Sequence, residues 1–440
     1  SWNSSMNTAR VRDYLREKDA NGEYKLPFLV VVDAFHSEMV GYADLVLPDT
    51  TYLERHDCIS LLDRPISEPD AICDSIRTPV LEPDRDVRPW QEVMIDLAVR
   101  LRLPAFTHAD GSAEYDGYRD FITRFERAPG VGFLAGWRGE NGDTHLRGAP
   151  NPHQWQAYED NECFFKYELP EHMHYYRFAN KGYLEFAKEA GFNASANPIV
   201  FELYSEPLQR FRLAGQGLYE GPQPASRAHK HRLATYFDPL PLYYPVLDRP
   251  ASEEAFPLHA ITQRPMFMYH SWDSQNAWLR QITAQNYLYV NRGRAERMGI
   301  ADYSWVWLSS RNGRIRVQVK LMEGVHPDTV WTWNAIGKQR ATWGLSADAN
   351  ESNEGFLLNH LISELLPPDA HDVVHTNSDP ITGQAAWYDL RVKMEPAAKG
   401  ETGTWPGFEA LPGLPDSRQP DPSEPVRYHS HVPVRLNRND

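Results

Sequence analysis

Two runs of consecutive apolar residues near the start of the chain have the pattern of strands buried on both faces. Phe28–Val32 (FLVVV) is rich in valine and ends in Asp33, and Ala43–Leu47 (ADLVL) ends before a proline. The segment between them, Ala34–Gly41, has the pattern of a turn that leads into a short helix. This order of strand, helix and strand predicts part of a parallel α/β sheet. Ligands of such sheets bind at the carboxyl ends of the strands, where Asp33 lies.

A segment with the hydrophobic periodicity of a helix follows, and after it comes a region with few periodic segments. Trp90–Leu103 predicts an amphipathic helix with one apolar stripe turned to the core, formed by Trp90, Val93, Met94, Leu97, Ala98 and Leu101. Short helices are predicted over Tyr115–Arg127 and Lys181–Ala190, with turns and loops elsewhere between 105 and 250. The proline-restricted connector Phe237–Pro245 (FDPLPLYYP) is a natural place for a domain boundary.

After Pro257 the pattern changes to short strands with little helix, which is typical of a β-barrel. The predicted strands are Leu258–Thr262, Tyr303–Ser309, Arg314–Lys320, Val330–Trp333 and Tyr388–Met394, of which the last would close the sheet. Tyr287–Val290 is either a strand or the end of a helix. Asn312–Gly313 predicts a tight hairpin turn between two of the predicted strands. A helix is predicted over Glu354–Leu366. The last forty residues contain seven prolines and no period, so we expect an extended or disordered tail there.

Composition narrows the class of function. The chain has 440 residues, is 41% hydrophobic and carries a formal net charge of −15, which argues against a general nucleic-acid binder. No apolar run is long enough to span a membrane. Two HxH pairs, His172 with His174 and His229 with His231, are candidates for metal binding on a strand face or are surface histidines. The chain has three cysteines: Cys58, Cys73 and Cys163. Their number and spacing predict neither a disulfide framework nor a cysteine-bound cluster.

Three places in the sequence suit a polar ligand. Thr262–Ile282 mixes amide, hydroxyl and basic side chains with aromatic ones, as in a loop that leaves a strand, holds an anionic ligand and enters a helix. A polar loop over an ordinary core is the alternative. The Asp33 carboxylate could accept both N–H groups of a guanine edge or a ribose hydroxyl, or could cap a turn. Arg55 is a candidate phosphate contact with Glu54 as its partner, or part of an exposed salt bridge.

The order of several motifs resembles the molybdopterin oxidoreductases of the dimethyl-sulfoxide-reductase type. The motifs are WNSSMN, ADLVLP, LPDTTYLER, YSEPLQRFRL, FDPLP, TQR followed by HS and NAWLRQI, TVWTWNAIGK and NSDPITGQAAWYDL. The more specific of them are similar to the branch that contains quinone-linked sulfite dehydrogenase and the polysulfide, thiosulfate and tetrathionate reductases. The resemblance covers nearly the whole chain, from about residue 28 to residue 395.

The resemblance implies which positions bind the family's cofactor. They are Val32, Asp33, Arg55, Asp86, Thr262, Gln263, Arg264, His270, Ser271, Asn377, Gln384 and Tyr388. Arg55 stands where relatives often have Lys, and Gln263 where they often have Gly. The spacing around Asp86 differs from the family pattern. The family's late Asn and Lys fall at His371 and Tyr388, with Asn377 and Gln384 as alternatives.

The resemblance also implies a fold and a division into domains. Segment 1–104 would be the end of a Rossmann-like parallel α/β domain, and 105–250 a loop-rich intervening region. Segment 251–398 would be a double-psi-type β-barrel that binds a molybdopterin dinucleotide, and 399–440 an extended tail. The family's iron–sulfur cysteine motif and its molybdenum ligand have no counterpart here. The chain is therefore expected to be the C-terminal part of a longer or split catalytic subunit, inactive alone.

The implied activity is oxidation of sulfite to sulfate at a bis(molybdopterin guanine dinucleotide) molybdenum cofactor. Electrons would pass through a [4Fe-4S] cluster in the N-terminal part and an iron–sulfur subunit to quinone at a membrane anchor subunit. A cytoplasmic location, peripheral at the membrane, is expected, with a periplasmic one as alternative. Reduction of polysulfide, thiosulfate or tetrathionate is the second possibility. A non-catalytic binding or scaffold protein that kept the fold is the possibility from another class.

Overall fold

The computed structural model describes residues 5–59, 71–124, 149–168, 170, 172, 180–197, 204–244, 254–268, 276–283, 285–334, 336–337, 356–368, 372, 374–387 and 389–401. The expected tail beyond residue 401 and His174 of the first HxH pair lie outside these residues. The chain divides into two compact units. The first takes its described residues from Ser1–Val31, His36–Val46 and Glu202–Pro433, and the second takes them from Val32–Phe35 and Leu47–Phe201. In the described part, no helix is both long enough and apolar enough to cross a membrane.

The first helix, α1, covers Thr8–Arg16, and a two-stranded sheet follows it. Strand β1 is Val30–Asp33 and strand β2 is Leu45–Pro48, with a 3₁₀ turn over Glu38–Tyr42 between them. Leu45 N donates to Leu29 O, and Asp49 N donates to Asp33 O. Because these hydrogen bonds advance in the same direction along both chains, the strands are parallel, as the sequence predicts.

The prediction that both strands are buried on both faces is wrong for the chain by itself. Val30 is 42% exposed, Val32 is 36% exposed and Leu45 is 43% exposed, whereas Val31 is buried. Side chains alternate between the two faces of a strand, so one face of β1 is covered and the other is open. The coarse α/β character is therefore present, but the described residues contain only two strands of this sheet.

The second unit contains a three-stranded antiparallel sheet that the sequence analysis missed. Its strands are β3 (Asp57–Ile59), β4 (Ala71–Arg77) and β5 (Phe164–Glu168), in that order. The helices of this unit are α2 (Trp90–Arg100), α3 (Tyr118–Arg124), α4 (Gln154–Asp160) and α5 (Lys181–Glu189). A small core beneath them contains Ile76, Ile122, Trp155 and Tyr158, against which Cys58 and Cys163 pack.

Helix α2 forms where the sequence predicts it, but the face that it buries is rotated away from most of the predicted apolar stripe. Its buried residues are Gln91, Ile95 and Ala98. The larger apolar residues of the predicted core stripe lie outside: Trp90, Met94, Leu97 and Leu101 are each at least 42% exposed. The prediction of a helix is confirmed, whereas the prediction of its buried face holds for Ala98 and is wrong for the four larger residues.

Two helices in the first unit lie in the region that was expected to be mostly loop. Helix α6 is Glu206–Gln216 and helix α7 is Arg227–Tyr236. They pack so closely that a Cβ added at Gly215 would lie 2.8 Å from Ala234 N. His229 and His231 lie on α7, so the alternative that places this pair on a strand face is wrong.

The rest of the first unit is a closed six-stranded barrel. Its strands are β6 (Leu258–Gln263), β7 (Leu288–Asn291), β8 (Trp305–Ser310), β9 (Gly313–Met322), β10 (Thr329–Trp333) and β11 (Leu390–Pro396). The order around the barrel is β10-β6-β11-β8-β9-β7. The pairs β10–β6 and β7–β9 are parallel, and the other four are antiparallel. Short helices α8 (Ala277–Arg280) and α9 (Arg292–Arg297) lie between strands.

The barrel confirms the strand predictions because each strand alternates between the interior and the outside. The side chains on the inner side of the strands are at most 1% exposed: Leu258, Ala260, Leu288, Val290, Val306, Leu308, Ile315, Val317, Val319, Val330 and Val392. The hairpin at Asn312–Gly313 joins β8 to β9, with Ser310 opposite Gly313. Strand β11 pairs with both β6 and β8 and closes the barrel, as predicted.

The predicted helix over Glu354–Leu366 is wrong in its described part. Only the 3₁₀ turn Leu358–Leu361 forms there. The segment packs on the barrel core with apolar residues at nearly every position: Phe356, Leu357, Leu358, Leu361 and Ile362 are all buried. An amphipathic helix would have turned part of this run to solvent, which would cost burial energy.

Candidate functional site

The carboxyl ends of two parallel barrel strands come together at one edge of the barrel. Strands β6 and β10 are paired in register, with Thr262 opposite Thr332 and Gln263 opposite Trp333. Asn334 continues the ladder, because its N–H donates to Gln263 O at 2.9 Å. The chain after β6 and the chain after β10 therefore leave the sheet side by side.

The described ends of the segment after β6 match the predicted order of strand and helix, and residues 269–275 between them lie outside the described residues. The segment leaves the strand at Gln263 and enters α8, where the Asn276 side chain accepts from Trp278 N and Leu279 N and caps the helix. Thr262 is half-buried, and Gln263 and Arg264 are exposed. His270 and Ser271 lie outside the described residues.

The segment after β10 contributes groups that the sequence analysis did not select. The Oδ1 atom of Asn334 is buried and accepts no hydrogen bond from any residue that the structure describes. Gly337 has a φ of +153°, and a Cβ there would lie 2.5 Å from the carbonyl carbon of Phe356. A buried acceptor without a protein donor is uncommon and suits a place where a ligand supplies the donor. Asn334 directly follows a predicted strand, which is the sequence signal that could have identified it.

Asn286 holds this edge of the barrel together. Its side chain is 1% exposed and donates to Trp333 O at 2.9 Å and to Phe356 O at 3.1 Å. Its Oδ1 accepts from Thr332 Oγ1 at 2.8 Å. One amide thus fixes both the end of β10 and the segment that packs beside Gly337.

A second polar cluster lies at the end of β2 in the other unit, centred on Asp49. The Asp49 carboxylate is buried and accepts from Thr50 N, from Trp90 N at the start of α2, and from Arg55 Nη1 at 2.8 Å. The Arg55 side chain is only 18% exposed and also lies 3.7 Å from Asp57. The exposed salt bridge considered for Arg55 is therefore wrong, because this ion pair is largely enclosed.

Glu54 has a partner different from the predicted one. Its carboxylate accepts two hydrogen bonds from the Arg85 guanidinium, at 2.6 and 2.7 Å, instead of pairing with Arg55. It also accepts from Thr51 N and Thr51 Oγ1. The two bonds from Arg85, aided by those from Thr51, lower the pKa of Glu54 from 4.5 to about 2. The ion pair thus fixes the turn that carries Arg55.

The other predicted residues at the strand ends are placed as follows. Asp33 closes β1, and its Oδ1 accepts from Phe35 N at 3.0 Å, so it caps the turn after the strand. Val32 is partly exposed on β1. Asp86 is exposed in the loop before α2. None of these positions excludes the cofactor role that the resemblance implies, which stays a prediction.

Asn377 and Gln384 line one cavity of about 690 Å³ in the first unit. The cavity is also lined by Tyr236 at the end of α7 and by Tyr244 of the connector after it, whose rings lie 5.4 Å apart. Asn377 Nδ2 donates to Ser363 O at 3.0 Å, which fixes its side chain. His371 and Tyr388 lie outside the described residues. Among the residues that the structure describes, no group of three or more His, Cys, Asp or Glu side chains could hold a metal ion.

Comparison with known families identifies the class. Residues 4–97 match the molybdopterin oxidoreductase family, and residues 258–372 match the molydopterin dinucleotide binding domain. The second match begins at the first residue of β6 and includes every barrel strand except β11. The chain belongs to the molybdopterin oxidoreductases, which confirms the resemblance found in the sequence.

Individual relatives narrow this further. The chain is 54% identical over 419 residues to a sulfite dehydrogenase subunit of Allochromatium vinosum, a match that covers 94% of this chain and 43% of the relative. It is 26% identical to a tetrathionate reductase subunit of Archaeoglobus fulgidus, covering 79% of this chain and 33% of that protein. The chain thus spans less than half the length of these curated relatives.

A solved structure supports the fold. Acetylene hydratase from Pelobacter acetylenicus superposes with a TM-score of 0.53 at 17% sequence identity, covering 90% of this chain and 43% of that one. At this level of identity the likeness concerns the fold alone.

Proposed function

We propose that this chain is part of a molybdenum-dependent catalytic subunit that oxidises sulfite to sulfate. The observation that carries the proposal is the 54% identity, across 94% of the chain, to a subunit of a sulfite dehydrogenase. In this proposal the electrons pass through a [4Fe-4S] cluster and an iron–sulfur subunit to quinone at a membrane anchor subunit. We further propose a cytoplasmic location, peripheral at the membrane.

The residues at the barrel edge fit a bis(molybdopterin guanine dinucleotide) cofactor. The ligand carries pyrophosphate groups and pterin amides, which need cationic, amide and backbone N–H partners. Arg264 and Gln263 supply such side chains after β6, and Asn334 offers a buried acceptor beside them. Gly337 lets the segment after β10 pack directly against the backbone of Phe356, because a Cβ at this position would lie 2.5 Å from the Phe356 carbonyl carbon. When bound, the cofactor supplies the two-electron redox chemistry, and the protein binds and orients it.

The cluster at the end of β2 supports binding of one dinucleotide in a different way. The proposed role of Arg55 is to place positive charge near a phosphate, while Asp49 fixes its direction. The proposed role of Asp33 is to accept guanine N–H groups at the end of β1. For the second dinucleotide, Asn377 and Gln384 would contact it from the wall of their cavity.

The reaction is tested on the complete complex that contains this chain. We expect the purified complex to contain molybdenum and to oxidise sulfite with a quinone analogue as electron acceptor. The tetrathionate reductase relative supports a second candidate, reduction of tetrathionate or of a related sulfur compound such as thiosulfate or polysulfide. Reduction with a viologen donor and no sulfite oxidation would replace the first proposal by the second. A complex without molybdenum would contradict both and favour a non-catalytic scaffold.

The cofactor site is tested by charge reversal. Arg264→Glu places a carboxylate beside the proposed pyrophosphate, and we expect the molybdenum content of the complex to fall at least tenfold. Arg297→Glu, at an exposed arginine of α9, is the matched control and should leave molybdenum content unchanged. Equal molybdenum contents in the two variants would contradict the placement of the cofactor after β6.

A further inference from the structure

Aromatic and basic side chains share the outer side of the barrel over β7, β8 and β9. The alternate positions of these strands are buried inside, so the remaining ones point outward. The surface that they form, here called the outer face, consists of Tyr287, Trp305, Trp307, Arg314, Arg316 and Lys320, none of which is buried. Arg314 Cζ lies 3.5 Å from the centre of the Trp307 ring, and Lys320 Nζ lies 5.7 Å from that of Tyr287. The outer face therefore combines flat rings with positive charge.

The chain that leaves β11 turns back onto the outer face. Ala397 N donates to Trp305 O at 3.0 Å, which extends the pairing of β11 with β8. After a turn, the Glu401 carboxylate accepts from Trp307 Nε1 at 3.3 Å and lies 3.8 Å from Arg316 Nη1. Glu401 is the last residue that the structure describes, so the chain reaches the end of its described part on the outer face.

The residues that follow Glu401 have a spacing that suits such a surface. Residues 402–416, here called the tail segment, lack the hydrophobic periods of a helix and of a strand. Their large apolar residues instead recur at every third position: Trp405, Phe408, Leu411 and Leu414. A polyproline II helix has three residues per turn, so this spacing would place all four on one side of it. Prolines in the same segment favour that conformation: Pro406, Pro412 and Pro415.

The length and the charge of the tail segment also match the outer face. The ten residues from Trp405 to Leu414 would span about 30 Å as a polyproline II helix, and the ten-residue strand β9 is about 33 Å long. The tail segment contains Glu409 and Asp416 and no basic residue, which complements the three cations of the outer face. Aromatic surfaces of this kind recognise proline-rich segments, because their extended conformation is formed before binding.

We propose that the outer face is a binding site for a proline-rich segment in the polyproline II conformation, and that the tail segment of the same chain occupies it. Glu401 already fixes the start of the tail segment on this surface. The local concentration of the tail segment there is therefore higher than that of a separate polypeptide. This binding site is independent of the proposed reaction, because it needs neither cofactor nor sulfite.

The occupant is tested with a fluorescently labelled peptide of residues 402–416, whose binding to the full chain is measured by anisotropy. The tail variant, Trp405→Ser with Phe408→Ser, removes half of the apolar side of the chain's own tail segment. We expect the tail variant to bind the peptide at least tenfold more tightly than the unmodified chain, in which the tail segment competes. A control peptide of the same composition, with Phe408 and Glu409 exchanged and Leu411 and Pro412 exchanged, should bind at least tenfold more weakly.

A second substitution in the tail variant tests the surface. Lys320→Glu reverses a charge on the outer face, and we expect at least fivefold weaker binding of the labelled peptide. Lys230→Glu, at an exposed lysine of α7, is the matched control and should leave the affinity unchanged. If Lys320→Glu lowers the melting temperature, Lys320→Gln, which removes only the charge, replaces it with an expected weakening of at least threefold.

The proposal is overturned by any of four results. The first is that the tail variant does not bind the labelled peptide, and the second is that the control peptide binds it equally well. The third is that Lys320→Glu or Lys320→Gln, when folded, binds as tightly as Lys230→Glu. The fourth is that the unmodified chain binds the peptide as tightly as the tail variant does, because the chain's own tail segment would then not occupy the outer face.

Discussion

The ion pair between Glu54 and Arg85 should support the turn that carries Arg55, and its contribution should depend on pH. The Glu54 side chain is 7% exposed, and its pKa is lowered from 4.5 to about 2. A depression of this size corresponds to about 3 kcal/mol of preference for the charged form. Because the Arg85 side chain is 25% exposed, solvent screening reduces the effect. We expect Glu54→Gln to lower the free energy of unfolding by about 1–2 kcal/mol at pH 7.

The sign of the pH dependence follows from the depressed pKa. The contribution is fully present above the pKa of the unfolded chain, 4.5, and is lost as pH falls toward the folded value of about 2. The assay is urea unfolding, followed by tryptophan fluorescence, of the unmodified chain and of Glu54→Gln between pH 7 and pH 3. The difference between the two should shrink steadily below pH 5.

A control within the same cluster separates this ion pair from general charge effects. Asp84 also lies 3.3 Å from Arg85, but its side chain is 88% exposed. Asp84→Asn should therefore change the free energy of unfolding by less than about 0.5 kcal/mol. A Glu54→Gln effect that is equally small, or that stays constant from pH 7 to pH 3, would refute the reasoning.

Two further predictions concern the barrel unit. Asn286→Ala should lower the free energy of unfolding by about 2–4 kcal/mol in urea titrations, because it leaves the carbonyls of Trp333 and Phe356 without their donor; a loss below about 1 kcal/mol would contradict this. Burial, aided by the charge of Arg12, lowers the pKa of His360 from 6.5 to about 4. As pH falls, His360 therefore takes up a proton in the unfolded chain before it does so in the folded one. The free energy of unfolding should fall by up to about 3 kcal/mol between pH 6.5 and pH 4. In His360→Gln that part of the pH dependence should be absent.

Local pattern was enough to predict most of the barrel. Alternation along β8 and β9 excludes a slip of one residue, which would expose the apolar side, and the sharp turn at Asn312–Gly313 fixes the register. The family resemblance added the class of protein, which its two domain matches confirm. Long-range ion pairs could not be predicted from the sequence. Arg85 lies in a loop 31 residues after Glu54, and no sequence pattern connects the two positions.

The sequence by itself determined where the strand ends with polar residues lie and which family the chain belongs to, since both depend on local order. Only the tertiary structure decided which of these ends meet. Gln263 and Asn334 become neighbours because β6 and β10 pair in parallel, and this pairing depends on closure of the whole barrel. The structure likewise decided that α2 buries Ile95 and leaves Leu97 outside. Periodicity identifies an apolar face, but the available partners determine which face is covered.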